Sequence, residues 1–169
     1  MKLATLVTAC LALVAVECAA LRPFGLSVAR ADLAVAAVLF FGVRCQTLEG
    51  ALGSFAAGYF VDLNSGQPTG LYIFTAVLTY LVARLVAPFV EVRSARRFAL
   101  LAAALDLLHN LAAWGMLSAR AAPELVNRGE MLSAIPLTAA LTAAGAALAW
   151  PLLRGIEAAF KKPETGILN

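Results

Sequence analysis

Gly58-Tyr59-Phe60-Val61-Asp62-Leu63-Asn64-Ser65-Gly66-Gln67-Pro68-Thr69-Gly70-Leu71-Tyr72 lies between two apolar runs and reads as a helix end, a tight reversal and a helix start. Asn64 and Ser65 can close local turns through their side chains, Gly66 supplies a positive φ, and Pro68 prevents the helix from continuing. Asp62 would close one helix, and Thr69 is placed to cap the next. A carboxylate near a helix C-terminus is unfavourable by itself. Asp62 is therefore expected to be satisfied by donors of the turn or by a cation. Just upstream, Gly50, Ser54 and Gly58 recur every four residues and so share one helix face. Small residues in that pattern let another helix approach closely.

Outward from this reversal the chain is apolar almost throughout. Its 169 residues are 62% hydrophobic and 14% charged, with a mean hydropathy of +0.87. A soluble domain is about 45–50% apolar and about 25% charged. Disorder, a fibrous repeat and a disulfide scaffold are excluded on this composition. An all-α polytopic membrane protein of one domain is expected, with six helices over about 3–21, 31–44, 50–62, 70–90, 98–118 and 131–154 and a short tail over 155–169. The second and third runs fall short of a ~30 Å hydrocarbon core at ~1.5 Å per residue. They are expected to be buried or tilted among their neighbours. Pro136 and Pro151 fall inside the last run, where membrane helices tolerate them. The first run, with Lys2 ahead of it and Cys18-Ala19-Ala20 near its end, also resembles a signal peptide. An uncut helix is the preferred reading.

The net charge of +3 serves better as a topology signal than as a nucleic-acid footprint, because the basic residues lie between apolar runs. With the N-terminus inside, Lys2, Arg44, Arg93, Arg96, Arg97, Arg154, Lys161 and Lys162 are cytoplasmic, and Arg22, Arg30, Arg120 and Arg128 are outside. That bias places both termini in the cytoplasm. Arg84 is close enough to the inner end of the fourth helix to snorkel. Trp114 and Trp150 fit interfacial aromatic belts. The Arg93–Arg97 loop is expected to touch anionic headgroups.

The quoted segment resembles the one that marks the bacterial rod shape-determining protein MreD family: glycine, apolar residues, Asp-Leu, a Ser-Gly turn, Pro, then Gly before the next helix. Thr75 to Leu85 resembles the helix that follows in that family. Thr69 stands where members more often carry Leu. The specific match covers only about 30 residues of the chain. The resemblance implies an inner-membrane subunit of the machinery that inserts peptidoglycan along the side wall. It implies MreC as direct partner and, through it, MreB, a SEDS glycosyltransferase and the elongation transpeptidase. It also implies a fold similar to the substrate-binding S components of ECF vitamin transporters. Asp62, Ser65, Gly66, Pro68 and Gly70 are then the candidate partner-binding or turn residues.

Within the fifth run, Asp106, His109 and Asn110 share one helix face. A charge there costs about 2.5–3.5 kcal/mol on insertion scales and faces a protein interior. One reading is a proton relay or polar ligand pocket with the single His as titrating group. The other, which the residues favour, is an interhelical hydrogen-bond cluster. Cys10, Cys18 and Cys45 lie in or beside apolar runs and read as packing residues. No zinc or haem spacing and no hydrolase, metalloprotease, P-loop or dinucleotide motif occurs, so no metal, cofactor or enzymatic activity is expected. The leading expectation is a scaffold subunit that holds MreC. Alternatives are a small-molecule-binding subunit of an ECF-type transporter and an intramembrane enzyme acting through Asp106 and His109.

Overall fold

A computed structural model describes residues 2–21, 32–65, 70–120 and 128–159. Among them the chain is all-helical, with no strand: α1 (Lys2–Leu21), α2 (Leu33–Arg44), α3 (Thr47–Ser65), α4 (Leu71–Val86), α5 (Ala95–Arg120) and α6 (Arg128–Ala159). Two stretches, Ala95–Ala119 and Leu132–Ala159, are long and apolar enough to cross a membrane. Each exceeds ~30 Å at ~1.5 Å per residue.

The arrangement follows from α2. Leu-Ala-Val-Ala-Ala-Val-Leu-Phe-Phe-Gly-Val-Arg has no polar face, and a helix apolar all round is buried on all sides. Residues Ala34 to Gly42 are all buried. The α2 helix touches each of the other five, and those five close a ring around it in the order α1, α3, α4, α5, α6 and back to α1. The larger core cluster gathers Phe40 and Phe41 with Phe98, Ala102, Leu105, Ala146, Trp150 and Leu153. Phe40 meets the Phe98 and Trp150 rings edge-on, each at 6.5 Å between centroids. Small residues set the spacing elsewhere. A Cβ on Gly42 would stand 2.8 Å from the Ala83 Cβ of α4, so α2 and α4 meet backbone to backbone.

Burial of a short helix leaves its end groups for the protein to satisfy. At the N-terminus of α2, Asp32 Oδ1 accepts from Val35 N at 3.1 Å, and Asp32 N donates to Thr142 Oγ1 of α6 at 2.7 Å. At the C-terminus, Arg84 of α4 donates through Nη1 to the carbonyls of Gly42 and Cys45 at 3.2 and 3.3 Å. Its other nitrogen, Nη2, reaches Thr47 Oγ1 at 3.2 Å.

Several expectations need correcting. Arg84 does not run along the helix toward a membrane surface; it closes the C-terminus of α2. Trp150 is not an interfacial anchor. It is buried against Phe98, with the Arg44 and Arg154 guanidiniums 5.6 and 5.5 Å from its ring centroid. The third helix is not short. It runs for 19 residues because the polar residues at its C-terminal end find partners: Asn64 Nδ2 donates to Phe60 O at 2.7 Å, and Asp62 serves the next helix. The fourth helix is shorter than expected and stops at Val86, ahead of Pro88, which has no N–H to extend it. The fifth and sixth extend beyond 98–118 and 131–154, the sixth with both prolines inside. The short second helix is as expected.

Gly42→Leu is expected to lower thermal stability by about 1–3 kcal/mol, since the added side chain has no room against Ala83. Gly155→Ala, where nothing lies within 4 Å of the new Cβ, should raise stability or leave it unchanged. Unfolding of the detergent-solubilised protein, followed by tryptophan fluorescence, checks both.

Candidate functional site

Two groups of polar side chains stand out against the apolar frame. The first is the α3–α4 hairpin. The Asp62 carboxylate, itself buried, accepts from Gly70 N (3.1 Å), Tyr72 N (3.0 Å) and Ile73 N (3.1 Å). A carboxylate at the end of one helix thus caps the start of the next, where the N–H groups and the helix dipole favour negative charge. The expectation that turn donors satisfy Asp62 holds, and they are backbone amides. Gly70 is the N-cap of α4, at φ 87, with no side-chain cap bond of its own. That left-handed conformation is routine only for glycine. Gly66, Pro68 and Thr69, and the side chain of Ser65, lie outside the described residues.

The small-residue face of α3 packs as its spacing predicts. A Cβ on Gly58 would meet Ile73 Cα and Tyr72 O at 2.8 Å, and one on Gly50 would meet the Tyr80 ring at 2.8 Å. Ser54 between them is fully buried and turns its hydroxyl back to Gly50 O at 2.8 Å. The face therefore closes on α4, so the tight hairpin rests on Gly50, Gly58 and Asp62 together.

The second group centres on His109 of α5, which is buried. Its Nδ1 stands 3.1 Å from Thr79 Oγ1 and its Nε2 3.5 Å from Thr75 Oγ1, both on α4. The Thr79 hydroxyl already donates to Thr75 O at 2.7 Å, and that of Thr75 to Leu71 O at 3.0 Å. A hydroxyl has one proton. Thr79 therefore accepts, and the Nδ1 of His109 carries the hydrogen. The Nε2 atom faces Asp32 Oδ2 at 3.8 Å. Asp106 is fully buried, with Thr138, Thr142 and Asn110 as polar neighbours; neither carboxylate oxygen has a partner within hydrogen-bond geometry. Asn110 donates to the Asp106 backbone carbonyl at 2.9 Å.

Sequence reading grouped Asp106, His109 and Asn110 by their shared face, and they do lie in one region. It missed the neighbours that give the two their setting: Asp32, Thr75 and Thr79 around His109, and Thr138 and Thr142 beside Asp106. A signal was present. Thr75/Thr79 and Thr138/Thr142 are each four apart, and Asp32 directly precedes an apolar run in a helix-capping position. A narrow cleft of about 10 Å³, room for about one water, opens beside His109. Val35, Val38, Val61 and Ala76 form its apolar walls, and Asp32, Thr79 and Tyr72 bring polar groups to it. Compared with protein families, curated proteins and solved structures, the chain gives no match in any of the three.

Asp62→Ala is expected to destabilise the protein by about 1–3 kcal/mol, because three amide donors lose their acceptor. Asp62→Asn, which keeps one carbonyl oxygen, should recover part of that loss. Gly70→Ala should cost about 1–2 kcal/mol for a left-handed alanine. Thermal unfolding midpoints of the three variants test this order.

Proposed function

We propose that the chain is a non-catalytic, multi-pass inner-membrane scaffold subunit of the bacterial cell-elongation complex, a member of the MreD family that binds and positions MreC. The observation that carries this reading is the Asp62–Gly70 reversal. The residues on which the resemblance rests, Gly58, Asp62 and Gly70, are those that fix the α3–α4 hairpin. A multi-pass setting is supported by the outward distribution of bulk. Leu48, Leu52, Phe55, Tyr59 and Leu63 form an exposed stripe on α3, and Leu137, Leu141, Leu148 and Leu152 face outward from α6. Such apolar area is far more than water-facing surface carries. In this reading the chain crosses six times, with α2 making its crossing inside the ring of the other five; both termini are cytoplasmic, and the hairpin presents its turn on the periplasmic side to MreC. MreB, the SEDS glycosyltransferase and the transpeptidase are then reached through MreC.

A rod-shaped bacterium that depends on this gene product provides the test. Asp62→Ala and Gly70→Leu, expressed at wild-type level, are expected to reduce co-purification with MreC several-fold and to round the cells. Normal rods with intact co-purification for both variants would overturn the reading. The polar groups around His109 leave one other reading, a small-molecule-binding subunit similar to the S components of ECF transporters, for which the narrow cleft beside them would have to open. That reading requires the purified protein to retain a vitamin-sized ligand, which equilibrium binding detects directly.

A further inference from the structure

At the end of α2 opposite Asp32, basic side chains from three parts of the chain converge on one indole ring. Arg44, the last residue of α2, holds its guanidinium 5.6 Å from the Trp150 ring centroid. It also donates through Nη2 to Val92 O at 3.0 Å, which ties it to the segment between α4 and α5. Arg154, exposed one turn further along α6, stands 5.5 Å from the same centroid. The first turn of α5 reaches the ring through Phe98, 4.8 Å away between centroids. That turn carries Arg96 and Arg97, both exposed, and no acidic residue. Two cations therefore sit at the positive end of the α5 dipole, the reverse of the usual preference. Arg97 is held there, its Nη1 donating to Glu91 O at 3.0 Å and its N–H to Ser94 Oγ at 3.4 Å. Acidic groups do not balance this cluster. Glu49 and Arg84 cancel near the start of α3, and Glu91 pairs with Arg93. That leaves the buried Glu157 of α6 to set against Arg44, Arg96, Arg97 and Arg154. The residues after Ala159 bring Lys161 and Lys162 against Glu164, so wherever they lie they add to the excess. Like charges grouped in this way favour an anion among them.

We propose that this end of the bundle binds the phosphate of an anionic lipid headgroup, held by Arg44 and Arg154 with Arg96 and Arg97 beside them. A guanidinium presents paired N–H groups that match phosphate oxygens in geometry as well as charge. Basic pockets between helices at a cytoplasmic membrane face recognise headgroups by the same chemistry. A lipid fits better than a soluble phosphate because the cluster borders apolar surface. Leu148 and Leu152, on either side of Trp150 in sequence, both face outward from α6, where acyl chains would lie beneath the headgroup. A zwitterionic headgroup brings its own cation to a site already positive, so a headgroup of net negative charge is selected. The Arg93–Arg97 loop alone makes a surface contact; Arg44 and Arg154, distant from it in sequence, turn that contact into a site. The inference takes the membrane setting from the reading above and is independent of MreC.

The full-length protein is purified from mixed micelles holding equal amounts of phosphatidylglycerol and phosphatidylcholine with matched acyl chains, and the retained lipid is counted by mass spectrometry. The wild-type chain is expected to retain phosphatidylglycerol several-fold over phosphatidylcholine. Arg154→Gln, and separately the pair Arg96→Gln and Arg97→Gln, should each reduce that preference several-fold. All three positions are exposed, so the unfolding midpoints of these variants should stay at the wild-type value and keep the readout to binding. The pair Lys161→Gln and Lys162→Gln removes as much charge from outside the cluster and should leave the preference intact. An equal loss in that variant would reduce the effect to general surface charge and overturn the proposal. Equal retention of the two lipids by the wild-type chain would also overturn it. So would release of phosphatidylglycerol by inorganic phosphate at constant ionic strength, which would assign the arginines to a soluble anion.

Discussion

A twelve-residue helix with no polar face, buried on every side, must have both ends satisfied by other parts of the chain. That requirement organises the protein around α2. Asp32 and Thr142 close its N-terminus, Arg84 closes its C-terminus, and these contacts tie it to α6 and α4. In an apolar surrounding an unpaired backbone group costs several times what it would in water. The two end sites are consequently where polar residues concentrate. Tyr80 adds to the C-terminal one by donating to Thr47 O at 2.7 Å, which fixes the start of α3 from α4.

The Asp62 cap applies the same logic to the α3–α4 hairpin. A carboxylate at the C-terminal end of α3 opposes that helix's dipole but complements that of α4. The arrangement is stable only if the two helix ends are adjacent, and Gly50 and Gly58 allow that proximity by letting α4 lie against the α3 backbone. Asp62 and the two glycines therefore depend on one another. Without the close approach the carboxylate would not reach the amides of Gly70, Tyr72 and Ile73.

What could be read from the sequence divides along physical lines. Hydropathy and turn chemistry operate over a few residues, so the six helices, the reversal after Asp62 and the packing face of α3 were all legible. Helix ends were less so. The third run reads as ending at Asp62 because Asn64 and Ser65 look like loop residues, although Asn64 bonds back to Phe60 O and the helix continues through both. Most opaque were groups whose meaning depends on a neighbour distant in sequence. Asp32 and Thr142 are 110 positions apart. Arg84 looked like a snorkelling residue until the carbonyls of Gly42 and Cys45 stood beside it. Trp150 looked like an anchor because indoles favour interfaces, but two guanidiniums and two phenyl rings fill its surroundings.

The His109 region shows why such long-range polar contacts bear on function. Threonines that bond back to their own helix are quiet structural residues by themselves. Placed beside a histidine, Thr75 and Thr79 do more: by spending their protons on carbonyls, they compel the ring to donate through Nδ1 and leave Nε2 turned to Asp32. The tautomer is thus fixed by helix hydrogen bonding in α4, and the position of Asp32 by its duty as the cap of α2. Neither residue is free to relax the contact by turning away. The same bonds that hold the buried helix in place therefore hold the His109 ring beside the Asp32 carboxylate, so that the cap of α2 and the back-bonded threonines of α4 form one connected polar group.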